Sequence, residues 1–425
     1  MYRHFTGIAT LLALFACGRL PGTLPAAAGS RTSSAQAVEG EVVVRLAEGA
    51  SLPAGWVVRR RMEGLGAVVA ALPGGMGVQS AVDSLGRHAG VLWAEPNVRF
   101  DLPDPLPARS ISLPGFSVRN EEPNLWHFLR IQTREAWSTT KGRGVLVAVV
   151  DTGIDAAHPA FLGRVLPGYD SLDRDNDARD DNGHGTHVAG IIAAQTSDMT
   201  LLGVAPEARI LPVRALGDRG GTAESVATGI QWAVGRGAQV INLSLGSPVR
   251  SRLIEDAIRG ALDRGVVVVA AMGNAGDRGN PRIFPASLPG VVAVGATDPL
   301  DRRTPWSCFG RWQSLSAPGF GIWSTFPTYE TSLVRFAREN PAAFPPENRV
   351  DTFAAALSGT SQSAPVVAGI VALVRSVAPE LAPSQVNKVL QATARDLGAP
   401  GFDSYHGHGL VQAASALRTV RATQP

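Results

Sequence analysis

Three stretches of the sequence are apolar at almost every position and end in Gly or Asn. They are GVLVAVVDTG (144–153), AQVINLSLG (238–246) and GVVVVAAMGN (265–274), and patterns of helical period lie between them at 221–237 and 251–265. A strand that is covered on both faces is apolar throughout, whereas a strand with one face in water alternates. The sequence therefore predicts an α/β domain, with a doubly wound, mostly parallel sheet and helices on both faces.

Polar residues stand at the carboxyl ends of these apolar stretches. Asp151 ends the first, Ser244 lies near the end of the second, and Asn274 ends the third. In open α/β sheets, ligands and reactive groups lie outside the carboxyl ends of the strands. The three residues are therefore expected to border one site.

The charge balance argues against a nucleic-acid-binding protein. The 425 residues carry a formal charge of only +3, and every basic residue except Lys141 and Lys388 is arginine. No basic cluster is interleaved with aromatic residues, which is the pattern that nucleic-acid binding favours.

The N-terminus has the layout of a secretory signal, with a basic start and an apolar stretch at 5–16. Leu-Phe-Ala-Cys17 resembles a bacterial lipobox, in which the cysteine is acylated after cleavage. Ordinary cleavage after Ala28 is the alternative, and both stay open. Either one predicts an extracytoplasmic protein, and no other segment is expected to cross a membrane.

Composition divides the rest of the chain. After a signal at 1–17, residues 18–38 read as a linker, 39–101 as a compact block, and 102–121 as a Pro-rich boundary before a domain at 122–425. Within the block, EVVVRL, GAVVAAL and VLWAEPNVRF predict strands, and VQSAVDSLGRH predicts a helix.

Three segments of the larger domain combine into a candidate catalytic group. Asp151 ends a buried strand, His184 in DNGHGTHVAG begins a helix, and Ser361 in SGTSQSAP begins a second apolar helix. A serine hydroxyl attacks at neutral pH only when an imidazole takes its proton, and a buried carboxylate orients that imidazole. Asp, His, Ser is one of the known chain orders for this arrangement.

These segments resemble those of the subtilisin family of serine endopeptidases. The resemblance runs from residue 126 to about residue 416 and includes GVAPEARILPVRAL, INLSLGS, AAMGN, VVAVGATD, SAPG and GHGLVQAASA. It implies a subtilisin-like fold and peptide hydrolysis through an acyl-enzyme. A catalytically silent scaffold that binds peptides is the alternative, but silent relatives usually lack a triad residue.

The resemblance also assigns roles to single residues. Ser361 is the expected nucleophile, with Ser358 and Ser363 as structural neighbours and Pro365 in the first helical turn. Asn274 is expected to supply the oxyanion-hole amide. The expected substrate-binding residues are Ser244, Leu245, Gly246, Ala271, Met272 and Gly273, with Ile283 near the floor of the specificity pocket and a preference for medium apolar side chains.

No cofactor is expected for the chemistry, but a structural metal ion is considered. The acidic stretch 170–181 resembles a calcium loop of some thermostable relatives, with Asp170 and Asp175 as the best matches. A solvated acidic loop, partly neutralised by arginines, is the alternative. His187 follows His184 in HGTH, but that spacing is not a metalloprotease zinc motif, so a packing role is expected.

The block at 39–101 resembles the inhibitory propeptide of the family, which implies a small α+β, ferredoxin-like module and autoprocessing from a zymogen. The expected partners are protein or peptide substrates and the chain's own propeptide. Nucleic acid is not expected, a membrane is expected only through an acylated Cys17, and the protein is expected to be a monomer.

Overall fold

A computed structural model describes residues 37–101, 126–341 and 350–422. Within these residues the strands are β1 (Ala37–Leu46), β2 (Val57–Met62), β3 (Ala67–Ala71), β4 (Val91–Phe100), β5 (Leu146–Asp151), β6 (Tyr169–Asp170), β7 (Arg209–Arg214), β8 (Leu216–Gly217), β9 (Gly220–Thr222), β10 (Val240–Leu243), β11 (Val267–Ala271), β12 (Val292–Thr297), β13 (Leu315–Pro318), β14 (Ile322–Thr325) and β15 (Ala354–Leu357). The helices are α1 (Val78–Leu85), α2 (Trp126–Arg130), α3 (Thr133–Ala136), α4 (His184–Ala193), α5 (Ala223–Gly235), α6 (Arg252–Asp263), α7 (Ser332–Glu339), α8 (Thr360–Val377), α9 (Pro383–Thr393) and α10 (Ala413–Ala422). Two short 3-10 turns cover Glu63–Leu65 and Pro159–Phe161.

The N-terminal block forms an antiparallel sheet in the order β2-β3-β1-β4, with α1 packed on one face. This is the strand order of a ferredoxin-like module, and β1, β3, β4 and α1 lie where the sequence predicts them. The connection between β1 and β2, residues 47–56, has no helix. Strand β2 was not predicted, because its sequence VVRRRM has three consecutive arginines where a half-buried strand normally alternates.

The larger domain contains the predicted parallel sheet, in the order β13-β12-β11-β10-β5-β7-β6. Helices α4 and α8 pack on one face and α5 and α6 on the other. The three apolar stretches of the sequence are β5, β10 and β11. The doubly wound α/β architecture is therefore confirmed.

Alternate residues of β11 face opposite layers of the core. Val267, Val269 and Ala271 belong to the cluster that contains α8. Val268, Ala270 and the following Met272 belong to the cluster that contains α6. Because successive side chains of a strand point to opposite faces, this alternation decides which residues after β11 can reach the cleft.

The two modules share a sheet. The end of β4 pairs antiparallel with β9 of the larger domain, Arg99 opposite Thr222 and Phe100 opposite Gly221. Below this contact the carboxylate of Glu95 accepts hydrogen bonds from the hydroxyl of Ser251 and from two amides at the start of α6. The positive end of a helix dipole favours such a carboxylate. The N-terminal module is thus hydrogen-bonded to the first turn of α6.

One described helix, α8, is long and apolar enough to cross a membrane by length and composition, which the sequence analysis did not expect. Since 89% of that window is buried inside the protein, α8 is the central core helix.

Candidate active site

Asp151 and His184 meet at the carboxyl edge of the parallel sheet. Asp151 is the last residue of β5 and is completely buried, and His184 is the first residue of α4. Nδ1 of His184 lies 2.7 Å from Oδ1 of Asp151, which also accepts the amide of Thr152 at 2.8 Å. A hydrogen bond at Nδ1 fixes the tautomer and leaves Nε2 as the atom that can take up a proton.

The environment of His184 favours its protonated form. Burial lowers the pKa of the imidazole, but the negative charge and hydrogen bond of Asp151 outweigh burial and hold that pKa above its ordinary value. Nε2 has no hydrogen-bond partner among the described residues. An imidazole held in this way is suited to act as a general base.

Ser361, in the first turn of α8, is tied to Ser244 by two hydrogen bonds. Its hydroxyl donates to the carbonyl of Ser244 at 3.2 Å, and the hydroxyl of Ser244 donates to the carbonyl of Ser361 at 2.8 Å. The Ser361 hydroxyl is thus not bonded to Nε2 of His184 in this structure. Catalytic hydrogen bonds are often absent or long without substrate and form in the complex.

The prediction that Pro365 lies in the first turn of α8 is wrong. The helix begins at Thr360, one residue before Ser361, so Pro365 lies inside it, in the second turn. Proline has no amide hydrogen and cannot bond the carbonyl four residues earlier, which belongs to Ser361. That carbonyl is consequently open to the hydroxyl of Ser244.

Thr360 fixes the orientation of the Asn274 side chain. The amide and the hydroxyl of Thr360 both donate to Oδ1 of Asn274, each at 2.9 Å. The Thr360 hydroxyl also accepts the amide of Gly273 at 2.9 Å. With Oδ1 occupied, Nδ2 is the end of the amide that remains to donate, beside Ser361 in the same cleft. Sequence reasoning missed Thr360, although it lies between Gly359 and Ser361 in the motif itself.

Ser361 and Asn274 line a cleft of about 640 Å³ together with five of the six predicted substrate-binding residues, which are Ser244, Leu245, Gly246, Ala271 and Gly273. Met272 is the exception. It is completely buried and packs in the cluster that contains α6. The Met272 side chain therefore does not line this cleft, although the resemblance placed it among the substrate-binding residues.

Ile283 lines the same cleft, and its place near the floor of a specificity pocket stays a prediction. A Cβ atom at Gly273 would lie 2.7 Å from its Cγ1, and one at Gly246 would collide with its Cγ2. The two glycines that border the pocket are thus both in contact with this one side chain, which takes up space between them.

The cleft also receives the end of the N-terminal module. Asp101, which directly follows β4, lines it together with Gly220, whose backbone lies against the carbonyl of Phe100. Because β4 pairs with β9 at this edge, the last strand of the module leads directly to the cleft.

His187 lies on the buried side of α4 and does not approach a metal site. Its Nε2 lies 3.0 Å from the carbonyl oxygen of Ile322 and 3.1 Å from that of Ala355, on the antiparallel strands β14 and β15. Burial lowers its pKa to about 3, so the ring is neutral and can donate to those carbonyls. The packing role expected for it agrees with these contacts.

The acidic loop at 170–181 contains the two residues considered as calcium ligands, Asp170 and Asp175. Oδ1 of Asp170 accepts the amides of Leu172 and Asp173, and Oδ2 receives the guanidinium of Arg214. The Asp175 carboxylate accepts the amide of Asp177 at 2.8 Å. In the described part of the chain, no three His, Cys, Asp or Glu side chains are grouped so as to hold a metal ion. As arranged, these residues fit an arginine better than a calcium ion.

Residues 328–341, which belong to the long connection between β14 and β15 that precedes Ser361, lie beside the cleft. The Ser332 amide at the start of α7 donates to the carbonyl of Asp181, and its hydroxyl donates to Asp218, a cleft residue, at 2.6 Å. The guanidinium of Arg179 lies over the ring of Tyr329, 4.3 Å from the ring centroid.

Cys17, the signal and the Pro-rich boundary at 102–121 lie outside the described residues.

Two family models match the chain. Residues 142–409 match the model described as "Subtilase family", and residues 24–97 match the one described as "Fervidolysin N-terminal prodomain".

Curated relatives agree with the first match. Thermitase from Thermoactinomyces vulgaris is 38% identical over 307 residues, which is 72% of this chain and 98% of thermitase. Subtilisin Savinase from Lederbergia lenta is 38% identical over 297 residues, covering 69% of this chain and 98% of Savinase.

Among solved structures, fervidolysin from Fervidobacterium pennivorans, described as a keratinolytic enzyme related to subtilisin, superimposes with a TM-score of 0.73 at 28% identity. The match covers 91% of this chain and 62% of the fervidolysin chain.

Proposed function

Because this chain belongs to the subtilase family of serine endopeptidases and carries a fervidolysin-like prodomain, we propose that it cleaves peptide bonds with Ser361 as nucleophile, His184 as general base and Asp151 as the orienting carboxylate. The observation that carries the proposal is the 2.7 Å contact of Asp151 with Nδ1 of His184, which leaves Nε2 unbonded. Asp151, His184, Ser361 and Asn274 all have side chains that can perform these roles, so a silent peptide-binding scaffold is not favoured.

In the proposed reaction an extended substrate pairs with residues 244–246, and its amide bonds the carbonyl of Ser244. That contact would release the Ser361 hydroxyl, which now occupies the same carbonyl. The hydroxyl turns to Nε2 of His184, gives up its proton and attacks the substrate carbonyl. Nδ2 of Asn274 and the amide of Ser361 bind the oxyanion.

The tetrahedral intermediate collapses when His184 donates the proton to the leaving amine. This leaves an acyl-enzyme on Ser361, which water hydrolyses with His184 again acting as base. Throughout, Asp151 stabilises the imidazolium and holds its ring in place.

Replacing the nucleophile tests the proposal. Ser361→Ala should lower kcat on a peptide mixture by about 10⁶, the loss known for a subtilisin triad. Ser363→Ala is the matched control, because that hydroxyl donates to the carbonyl of Ala317, away from the reaction. A Ser361→Ala variant with wild-type turnover would refute the proposed role of Ser361.

We also propose that the prodomain inhibits the enzyme until it is cut off near 102–121. Support comes from the pairing of β4 with β9 and from the position of Asp101 in the cleft. Purified wild-type protein should shorten itself near this boundary, while Ser361→Ala stays full length. Maturation of the variant in isolation at the wild-type rate would contradict self-processing.

Export from the cytoplasm is proposed from the N-terminal signal pattern, and one relative is itself named an extracellular protease. Mass spectrometry of the mature N-terminus, before prodomain removal, separates an acylated Cys17 from ordinary cleavage after Ala28. The resemblance implies calcium binding at Asp170 and Asp175, but an ion there would have to displace Arg214 from Asp170. We therefore propose the alternative, an acidic loop partly neutralised by arginine.

A further inference from the structure

Asp180 is a fully buried carboxylate four residues before His184, and the steps above do not use it. Its Oδ1 accepts the Thr152 hydroxyl at 2.8 Å and the amides of Asn182 and Gly183 at 3.1 Å and 2.7 Å. Its Oδ2 accepts the amide and the hydroxyl of Thr186 at 2.8 Å and 2.6 Å. Buried carboxylates need hydrogen-bond donors, and Asp180 has five.

These contacts join the two elements that carry the candidate base and its carboxylate. Thr152 directly follows Asp151 at the end of β5, while Gly183 and Thr186 enclose His184 at the start of α4. The Thr152 hydroxyl, which donates to Asp180, also accepts the amide of Gly185 at 2.9 Å. The strand end and the first turn of the helix are thereby connected through one carboxylate.

We propose that Asp180 is a positioning residue, which fixes the His184 imidazole against Asp151 and adds a second negative charge near the imidazolium that forms during the reaction. The inference rests on the proposed role of His184 as general base. Asp180 itself touches neither the substrate nor the reacting atoms.

The electrostatics support this assignment. Burial raises the pKa of Asp180 to about 6, against the lowering effect of its hydrogen bonds, so the carboxylate is charged at neutral and alkaline pH. Its charge contributes, after that of Asp151, to the raised pKa of His184. Burial raises the pKa of Tyr329 to about 12, and the charge of Asp180 adds to that rise. The guanidinium of Arg179 lies over the same ring.

Asp180→Asn is the direct test, because asparagine keeps the size but directs an N–H₂ group toward hydrogen-bond donors. We expect kcat to fall between about 10- and 100-fold, the cost of misplacing reacting groups by about 1 Å, with KM changed less than about twofold. The acid limb of the kcat/KM profile should move to lower pH, because removal of the charge lowers the pKa of His184. A merely structural role would leave that limb in place.

Asp298→Asn is the matched control. Asp298 is also buried, and it accepts the amides of Leu300 and Arg302 at 2.9 Å and 3.0 Å and the guanidinium of Arg302 at 2.8 Å; none of these hydrogen bonds involves α4. This variant should lower the melting temperature without moving the acid limb. An Asp180→Asn enzyme with wild-type kcat and an unmoved acid limb would overturn the proposal.

Thr152→Val supplies a second test should Asp180→Asn fail to fold. It removes the hydroxyl bridge and keeps the charge, so kcat should fall about tenfold with the acid limb unmoved; an unchanged kcat would overturn the proposal. If wild-type protein cleaves peptides and Ser361→Ala does not, the proposed peptidase function holds whatever the Asp180 variants do. If wild-type protein cleaves nothing, both the peptidase function and the positioning role of Asp180 are overturned.

Discussion

Replacing Ile283 by glycine should change which side chain the enzyme accepts before the cut bond. The isoleucine lines the cleft beside Gly246 and Gly273. We propose that it occupies the space that a large ring of the substrate would need. Removing its four side-chain carbons opens that space without touching Ser361, His184 or Asn274. We therefore expect wild-type enzyme to favour Val, Leu or Ala at this substrate position over Phe.

The expected size of this change in substrate preference follows from the contacts of Ile283. A side-chain group that fits or fails to fit an apolar pocket is worth about 1–3 kcal/mol, or about 10–200-fold in kcat/KM. Ile283 is 9% exposed, so its loss also removes about 2–5 kcal/mol of buried packing. The variant should consequently prefer Phe by at least tenfold more than wild type while melting at a lower temperature.

The assay is kcat/KM for matched peptide substrates that differ only in Ala, Val, Leu or Phe before the cleaved bond. Ile283→Val is the control, because it removes a single methyl group, worth about 0.8 kcal/mol, and should shift the Phe/Leu ratio by no more than about fourfold. A folded Ile283→Gly enzyme whose Phe/Leu ratio stays within twofold of wild type would refute the reasoning.

Three further outcomes are expected. Burial lowers the pKa of His184 but Asp151 raises it more, so kcat/KM should fall as the pH drops through a midpoint above the ordinary pKa of histidine. A midpoint below that ordinary value would contradict this geometry. Glu95→Ala removes a buried carboxylate that binds the start of α6, at a cost of about 3 kcal/mol, so it should weaken inhibition by the prodomain about 100-fold. An unchanged inhibition constant would show that Glu95 does not hold the prodomain on the enzyme. Because Arg214 already supplies positive charge to Asp170, EDTA should shift the melting temperature by less than about 2 °C. A shift of that size corresponds to about 1 kcal/mol in a domain of this size. A larger fall would favour bound calcium.

Residues whose position follows from a local pattern were predicted well. The apolar runs identified β5, β10 and β11, and their carboxyl ends placed Asp151, Ser244 and Asn274 at one edge. Such runs are informative because a strand covered on both faces has few alternatives for its side chains.

Features that depend on distant partners were not predicted. The contacts of Asp180 with Thr152 and of Thr360 with Asn274 join residues 28 and 86 positions apart, and no local pattern indicates them. Met272 was misplaced for a related reason. The motif gave its place in the chain, but the pleat of β11 decided which face its side chain took.

The proposed catalytic residues are positioned at two levels of precision. Apolar strands and helices carry Asp151, His184 and Ser361 to one edge of the sheet, because burial fixes where each element ends. Hydrogen bonds between distant segments then set the final spacing, as between Ser361 and Ser244. Rates depend on displacements of about 1 Å, which burial alone does not control. Substitutions in these polar partners should therefore reduce turnover more than stability, while substitutions in the apolar elements should do the reverse.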